Sequence, residues 1–505
     1  MRARRSSVVA LAVAIVGLAA WRAACIVAGP EVDTDAYAHH MIARAILADP
    51  YDLSVHWVWL PLFHYLQVPL VALGGTIQDV RWANVVVAAT LPLVLFGYVR
   101  STARSGPAWS ADATALVAAL VAATSPIAMQ MGTTAQPEPL FALLVLGVAI
   151  AFQRRRYGAT AALLAGAVLL RYEAWASLAT IATIIVVEPL WRRHRRLGGE
   201  QGASGAWMVV AAPVTLILAW AALRRPVDGQ WFGFLRDTHE FAAGVMRDKG
   251  STSHGLAALM HDISYYPLLV PLRVMGPALP LAMFGVVRTV RQQGARFVLV
   301  VVSCLAFVSL TWVMRSTLGL DRHFVVVVPL YATFAAQGAA AIADSVARFA
   351  QRATTPRKAA LVGRAGAAAL SIASLGGLFV ALHVWMGFWR GSIERGWPER
   401  ASLGAYLRLL PGATTIFCDE ATVEILSGVD RRRFDRHWIN DPHTWDRISE
   451  VARARGVAYV ATWREKLRGH EAAGDILFSA GEVGADPDSG IAVMRVPPSV
   501  SQATR

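Results

Sequence analysis

Residues 2–35 read RARRSSVVALAVAIVGLAAWRAACIVAGPEVDTD. Arg2, Arg4 and Arg5 precede an apolar run over 7–28, and Glu31, Asp33 and Asp35 follow it. A helix needs about 20 apolar residues to cross a bilayer's hydrocarbon core, and this run supplies them. Basic residues before an apolar run also open signal peptides. Here no small-residue cleavage site follows, and Trp21-Arg22 interrupts the end, so the segment reads as a retained anchor.

Further runs of the same kind lie at 82–99, 111–131, 138–153, 158–171, 174–190, 206–223, 264–287, 297–314, 323–343 and 367–386. The pattern predicts an α-helical polytopic membrane protein with about eleven transmembrane helices. Composition agrees: 55% of the 505 residues are hydrophobic and 16% charged, against about 25% charged in a soluble domain. The net charge of +14 raises the question of nucleic acid. The cations exclude it by their placement, because most are arginines in short runs between apolar segments. Cys25, Cys304 and Cys418 lie far apart, so neither a disulfide framework nor a zinc spacing is available.

The arginines also give an orientation. With the N-terminus inside, the clusters Arg100/Arg104, Arg154–Arg156, Arg192/Arg193/Arg195/Arg196, Arg288/Arg291/Arg296 and Arg348 to Arg364 all fall on one side, the cytoplasmic one. Three segments then lie outside: a first loop at 29–81, a second at 224–263 with Trp231, Phe232 and Phe234, and a tail at 387–505. The tail alternates β-branched stretches (Thr414–Asp419, Val457–Thr462, Ile491–Val496) with helical ones near Ala401–Leu410 and Trp445–Arg455. That order predicts a small C-terminal extracytoplasmic α/β domain after a membrane domain over 1–386.

Candidate chemistry gathers on the outer side. Asp33 and Asp35 follow the first span directly, and a loosely amphipathic helix comes next, with Tyr37, Met41, Ile42, Ala45 and Ile46 on its apolar side. Such a helix suits the membrane interface. Carboxylates held there suit a general base acting on a hydroxyl. The structural alternative is that Asp35 or Thr34 caps the helix. Trp57 to Leu66 predicts a second interfacial or re-entrant helix. His64 within it, like His39 and His40, is a candidate substrate contact, although a histidine among aromatics is more often a packed one.

The short outer turns hold Gln136-Pro137-Glu138-Pro139, Arg171-Tyr172-Glu173 and Asp321-Arg322-His323, with Arg315 nearby and Arg22 and Arg273 at outer helix ends. Arginine is disfavoured in short outer turns, so these few need a partner. A lipid phosphate is one, since guanidinium forks match phosphate oxygens. Internal pairs are the other, Arg171 with Glu173 or Arg322 with Asp321.

Asp33-Thr34-Asp35-Ala36-Tyr37-Ala38-His39, followed by Ile42-Ala43-Arg44, resembles the first-loop acidic motif of GT-C glycosyltransferases, which include protein O-mannosyltransferases and the aminoarabinose transferases of lipid A. Trp59-Leu60-Pro61-Leu62-Phe63-His64 is similar to their proline-bearing segment. Pro137-Glu138-Pro139-Leu140, Arg171-Tyr172-Glu173-Ala174-Trp175 and Arg322-His323-Phe324 through Pro329 resemble later stretches of bacterial members. The likeness runs in order over about the first 345 residues.

The resemblance implies inverting transfer of a sugar from a polyprenyl-phosphate donor to a lipid, glycan or protein acceptor outside a bacterial plasma membrane. It gives the base to Asp33, with Asp35 second. From the residues themselves, His39, His64, Glu138, Arg171, Glu173, Arg315, Arg322 and His323 stand as the substrate-binding candidates. Many members carry adjacent Asp-Glu where Thr34 here separates two aspartates. No cofactor is implied, and metal binding stays open. A transporter and a non-catalytic envelope scaffold are the rival classes. Transporters, however, set their charges near the bilayer midplane, whereas here they gather at one face.

Overall fold

The structure is a computed structural model that describes residues 2–31, 33–106, 109–194, 205–248, 255–418, 421–435, 445–463, 476–480 and 490–496. Arg195, Arg196 and Asp419 of the sequence reading lie outside these residues. The chain forms two compact units, Met1–Pro30 with Pro50–Met386, and Glu31–Asp49 with Gly387–Arg505.

The first unit is helical. Among the described residues seven helices are long and apolar enough to cross a membrane: Ser7–Ala28, Ile77–Thr102, Glu173–Leu190, Met208–Asp228, Ala295–Val313, Asp321–Ala350 and Pro356–Trp389. Their outward faces carry large apolar side chains, such as Val16, Val86 and Ile372, each at least 66% exposed. Water would penalise such a surface and lipid does not. The chain is a multi-pass membrane protein.

Among the described residues these seven do not confirm the expected count of about eleven full spans. Helix Ala111–Thr124 ends at Ser125, because Pro126 lacks an N–H and restricts the residue before it. Glu138–Gln153 and Tyr157–Val168 are short apolar helices. The run at 264–287 breaks at Gly276 (φ +42°) and Pro277, between helices Val270–Met275 and Ala278–Gln293.

Helices Ala278–Gln293 and Val328–Ala350 cross where two glycines meet. A Cβ on Gly285 would lie 1.7 Å from the Phe334 carbonyl oxygen, and one on Gly338 1.9 Å from that of Leu281. Close backbone approach at small residues is how membrane helices gain packing without a hydrophobic drive. Arg288 ties the same pair, donating from Nη1 to Asp344 at 2.8 Å and from Nε to Gln337 at 3.1 Å. Gly338→Val is therefore expected to force the helices apart, destabilising by at least the ~1–3 kcal/mol typical of overpacking. Thermal unfolding in detergent checks this, and an unchanged midpoint would refute the crossing.

The second unit holds a five-stranded sheet of β1 (Ile416–Cys418), β2 (Phe434–Asp435), β3 (Tyr459–Trp463), β4 (Ile476–Ala480) and β5 (Ile491–Arg495), in the order β2-β1-β3-β5-β4. β1 runs parallel to β2 and β3, with Ile416 opposite Tyr459, and β5 is antiparallel to β3 and β4. Strand side chains alternate between faces. Ile416, Cys418, Tyr459, Ala461 and Val493 pack with Leu403, Leu407 and Val423 on one side. Phe417, Val460, Ala492 and Met494 pack with Ile448 and Ala452 on the other. A third contact of this unit sets helix Thr34–Ala48 against Ala421–Ser427. Tyr37, Met41, Ile42, Ala45 and Ile46 are all buried, so the face expected to meet the bilayer surface is covered by protein.

Candidate functional site

Three short turns of the first unit converge. Glu138 opens helix Glu138–Gln153, Glu173 opens helix Glu173–His194, and Arg322 and His323 lie in the 3-10 turn Asp321–Val327. Acids suit a helix's first turn, where the N-terminal partial charge is positive. Arg171 stands between them. Its Nη1 donates to Glu138 Oε1 at 2.6 Å, its Nη2 to Glu173 Oε1 at 2.9 Å, and its Nε to both Glu173 oxygens at 3.1 and 3.2 Å. His323 Nδ1 lies 3.0 Å from Arg171 Nη2 and 3.0 Å from Glu173 Oε1. Arg322 Nε is 3.5 Å from Glu138 Oε1.

Two guanidiniums, two carboxylates and an imidazole are thus gathered from sequence positions up to 185 residues apart, from Glu138 to His323. The side chains of Glu138 and Glu173 are only 3% and 5% exposed. Burial makes the pairing obligatory, since an unpaired buried charge is costly.

Of the two internal pairs the sequence offered, Arg171–Glu173 forms. Arg322–Asp321 does not, because Arg273 Nη2 takes Asp321 at 2.6 Å and also Tyr265 Oη at 3.0 Å. Arg315 stands apart from the five-residue cluster. It donates to Asp262 at 2.6 Å, and its guanidinium lies over the Trp312 ring.

Two residues that sequence reasoning passed over hold the turn before Glu138. Asn84 Nδ2 donates to the carbonyls of Thr134 and Gln136 at 2.8 and 2.7 Å. Arg81, fully buried, donates from Nε to Thr133 at 2.7 Å and from Nη1 to Gly29 at 2.8 Å. The signal was available: Asn84 lies within the apolar run 82–99 and Arg81 directly before it, and charged and amide groups at such positions are costly and mark function or structure.

His64 is buried in helix Leu62–Ala72, its Nδ1 2.8 Å from that of His56. Burial, assisted by the Arg224 guanidinium, pushes His56 down to about 3. His56 is therefore neutral, and one Nδ1 donates to the other. Trp59 and Trp220 flank the two rings. This is a packed histidine pair.

The first-loop acids belong to the second unit. Asp33 is the N-cap of helix Thr34–Ala48: its backbone is extended (φ −81°, ψ 117°) and its Oδ1 accepts from the Asp35 N–H at 3.0 Å. Capping therefore falls to Asp33 rather than to Thr34 or Asp35, which sit inside the first turn. Glu31 joins them from a buried position, its Oε1 accepting from the Asp33 N–H at 3.0 Å and its carbonyl from Tyr37 Oη at 3.1 Å. His39 and His40 are buried in the same helix. Among the described residues no three His, Cys, Asp or Glu side chains gather as a metal set.

No known family matches the sequence, and no curated protein matches it. Solved structures do. ArnT from Cupriavidus metallidurans, bound to undecaprenyl phosphate, superposes with a TM-score of 0.52 at 14% identity, over 97% of this chain and 98% of ArnT. The fold is GT-C. The archaeal oligosaccharyltransferase AglB from Archaeoglobus fulgidus, in complex with an inhibitory peptide and a dolichol-phosphate, gives a TM-score of 0.53 at 11% identity, covering 92% of this chain and 69% of its own.

Proposed function

We propose that this chain is a membrane glycosyltransferase that moves a sugar from a polyprenyl-phosphate donor to an acceptor outside a bacterial plasma membrane, with inversion. The observation that supports this reading is the meeting of Glu138, Arg171, Glu173, Arg322 and His323 at one end of GT-C helices. In the reaction, the acceptor oxygen attacks the anomeric carbon as its proton passes to a carboxylate. The bond to the phosphate oxygen breaks, and its electron pair leaves with the polyprenyl phosphate. Phosphate leaves as an anion and needs little acid assistance. Asp33 is the proposed base, and Arg322 the proposed partner of the donor's phosphate.

Arg322 stands 3.5 Å from Glu138 in this cluster, and its guanidinium fork matches phosphate oxygens. A charge-assisted hydrogen bond contributes on the order of 1.5–3 kcal/mol. Arg322→Ala is expected to weaken donor use about tenfold to a hundredfold, with partial recovery in Arg322→Lys. The assay is release of polyprenyl phosphate from a panel of polyprenyl-phosphate sugars by purified protein in nanodiscs. Release from none of them would return the transporter and scaffold readings. Unchanged donor dependence in folded Arg322→Ala would remove that residue from the site.

The proposal also needs both the acids and the tail outside. A periplasm-dependent phosphatase fused after Arg505 is expected to be active and one fused after Arg156 inactive. The reverse pattern would put the acids in the wrong compartment.

A further inference from the structure

Most of the arginines that the sequence leaves in need of a partner find a carboxylate. Arg171 meets Glu138 and Glu173, Arg322 lies 3.5 Å from Glu138, Arg273 meets Asp321 and Arg315 meets Asp262. Arg22 finds none among the described residues. It is 2% exposed, its Nε is shielded without a hydrogen-bond partner, and it forms no ion pair there. The titratable group that acts on it is the Cys25 thiol in the same helix, which in its protonated form carries no charge to match a cation.

The surrounding residues make room for this charge. A Cβ on Gly132 would lie 2.7 Å from the Arg22 Nε and 2.8 Å from the Ala88 Cβ, so a larger residue at 132 would push the guanidinium aside. Gly132 has φ −70°, which any residue adopts, so glycine serves space there and not the backbone. Ala88 continues the face of helix Ile77–Thr102 whose Arg81 and Asn84 hold the carbonyls of Thr133, Thr134 and Gln136. The turn after Gly132 carries a second donor without a partner, the Nε2 of Gln136, in a residue 1% exposed. Arg22 lies well inside its own helix, about 9 Å along the axis from the end at Ala28. One turn deeper, Leu18 packs with Ala123, Met129 and Leu382, so the setting below the guanidinium is apolar.

We propose that Arg22 binds the phosphate group of a membrane lipid at the turn 132–137. A buried guanidinium without a counter-charge is costly, and within a membrane domain such a residue marks a ligand's path. The guanidinium fork matches phosphate oxygens, and basic pockets between membrane helices recognise lipid headgroups. The apolar setting favours an anion delivered on a lipid over one that must leave water alone. This contact is additional to the one proposed for Arg322 and does not depend on the transfer chemistry.

The test uses full-length protein in detergent, its lipid-free state checked by native mass spectrometry. Undecaprenyl phosphate, dioleoyl phosphatidic acid, dioleoyl phosphatidylcholine or inorganic phosphate is added, and melting temperature and retained lipid are read. At least one of the two lipid phosphate monoesters is expected to stay bound and raise the melting temperature of the parent, and phosphatidylcholine and inorganic phosphate are expected not to. Arg22→Met is expected to lose that shift and to lower retention about tenfold or more, as the loss of a charge-assisted bond implies. Without lipid, Arg22→Met is expected to melt at or above the parent, because methionine removes an unmatched charge and keeps much of the volume. An arginine that serves only the fold would give a lower lipid-free melting temperature in Arg22→Met, and that result overturns the proposal. No shift in the parent, or equal shifts in parent and variant, overturns it as well. A response to inorganic phosphate alone overturns the lipid in favour of a free anion. No sugar donor is present, so failure of the transfer reading would leave each of these outcomes standing.

Discussion

Asp33→Asn is expected to lower turnover by about 10²–10⁴-fold, the contribution typical of a general base, while donor affinity and melting temperature stay near those of the parent. The cap geometry makes this substitution unusually clean. Asp33 orders the start of helix Thr34–Ala48 through one oxygen, which accepts from the Asp35 N–H. Asparagine caps as well as aspartate does, so the amide keeps the helix start while removing basicity. Asp33→Ala is the contrasting control: it loses base and cap together and should also cost about 1 kcal/mol of stability. Asp35→Asn removes a first-turn charge, worth about 0.3–1 kcal/mol, and should leave turnover largely intact. Steady-state kinetics over donor concentration, with thermal unfolding alongside, separates these outcomes. Turnover lost in Asp35→Asn and kept in Asp33→Asn would exchange the two roles. Turnover kept in both would place the base elsewhere.

The membrane helices were legible in the sequence because hydrocarbon imposes one requirement, about twenty apolar residues in a row. The strands at 416–418, 459–463 and 491–495 were legible because β-branched and aromatic residues concentrate in and beside them, between helical stretches. Strand β2 was not, since two residues carry no period, nor was β4. The candidate residues could be named one by one, but their partners could not. Arg171 and Glu173 are near in sequence and do pair; Asp321 and Arg322 are adjacent and do not. What decides between them is Arg273, brought to Asp321 from 48 residues away by the breaks on either side of helix Val270–Met275. Adjacency in sequence does not encode that choice. The cap was ambiguous for a different reason. Asp33, Thr34 and Asp35 are all good capping residues, and only the backbone angles at Asp33 settle which one stops being extended last.

Arg171→Met is expected to destabilise the protein by about 3–5 kcal/mol, the usual cost of leaving a buried charge without its partner. Arg171 is the common ligand of Glu138 and Glu173, whose side chains are 3% and 5% exposed. Methionine fills much of the same space and sits well beside Phe141, over whose ring the guanidinium now lies. Lost volume therefore explains little of the effect. Arg322, 3.5 Å from Glu138, and His323, 3.0 Å from Glu173, remain but cannot replace a guanidinium that contacts both acids. Arg171→Lys should fall between parent and methionine, because an ammonium is a point charge that cannot span two carboxylates with fixed forks. Adding Glu173→Gln to Arg171→Met should recover part of the loss, since the second change removes one of the stranded charges. Thermal unfolding of the three variants in one detergent measures the coupling. If Arg171→Met instead melts with the parent while donor binding collapses, the ion cluster is dispensable to the fold. Arg171 would then be the donor's phosphate ligand, and Arg322 its support.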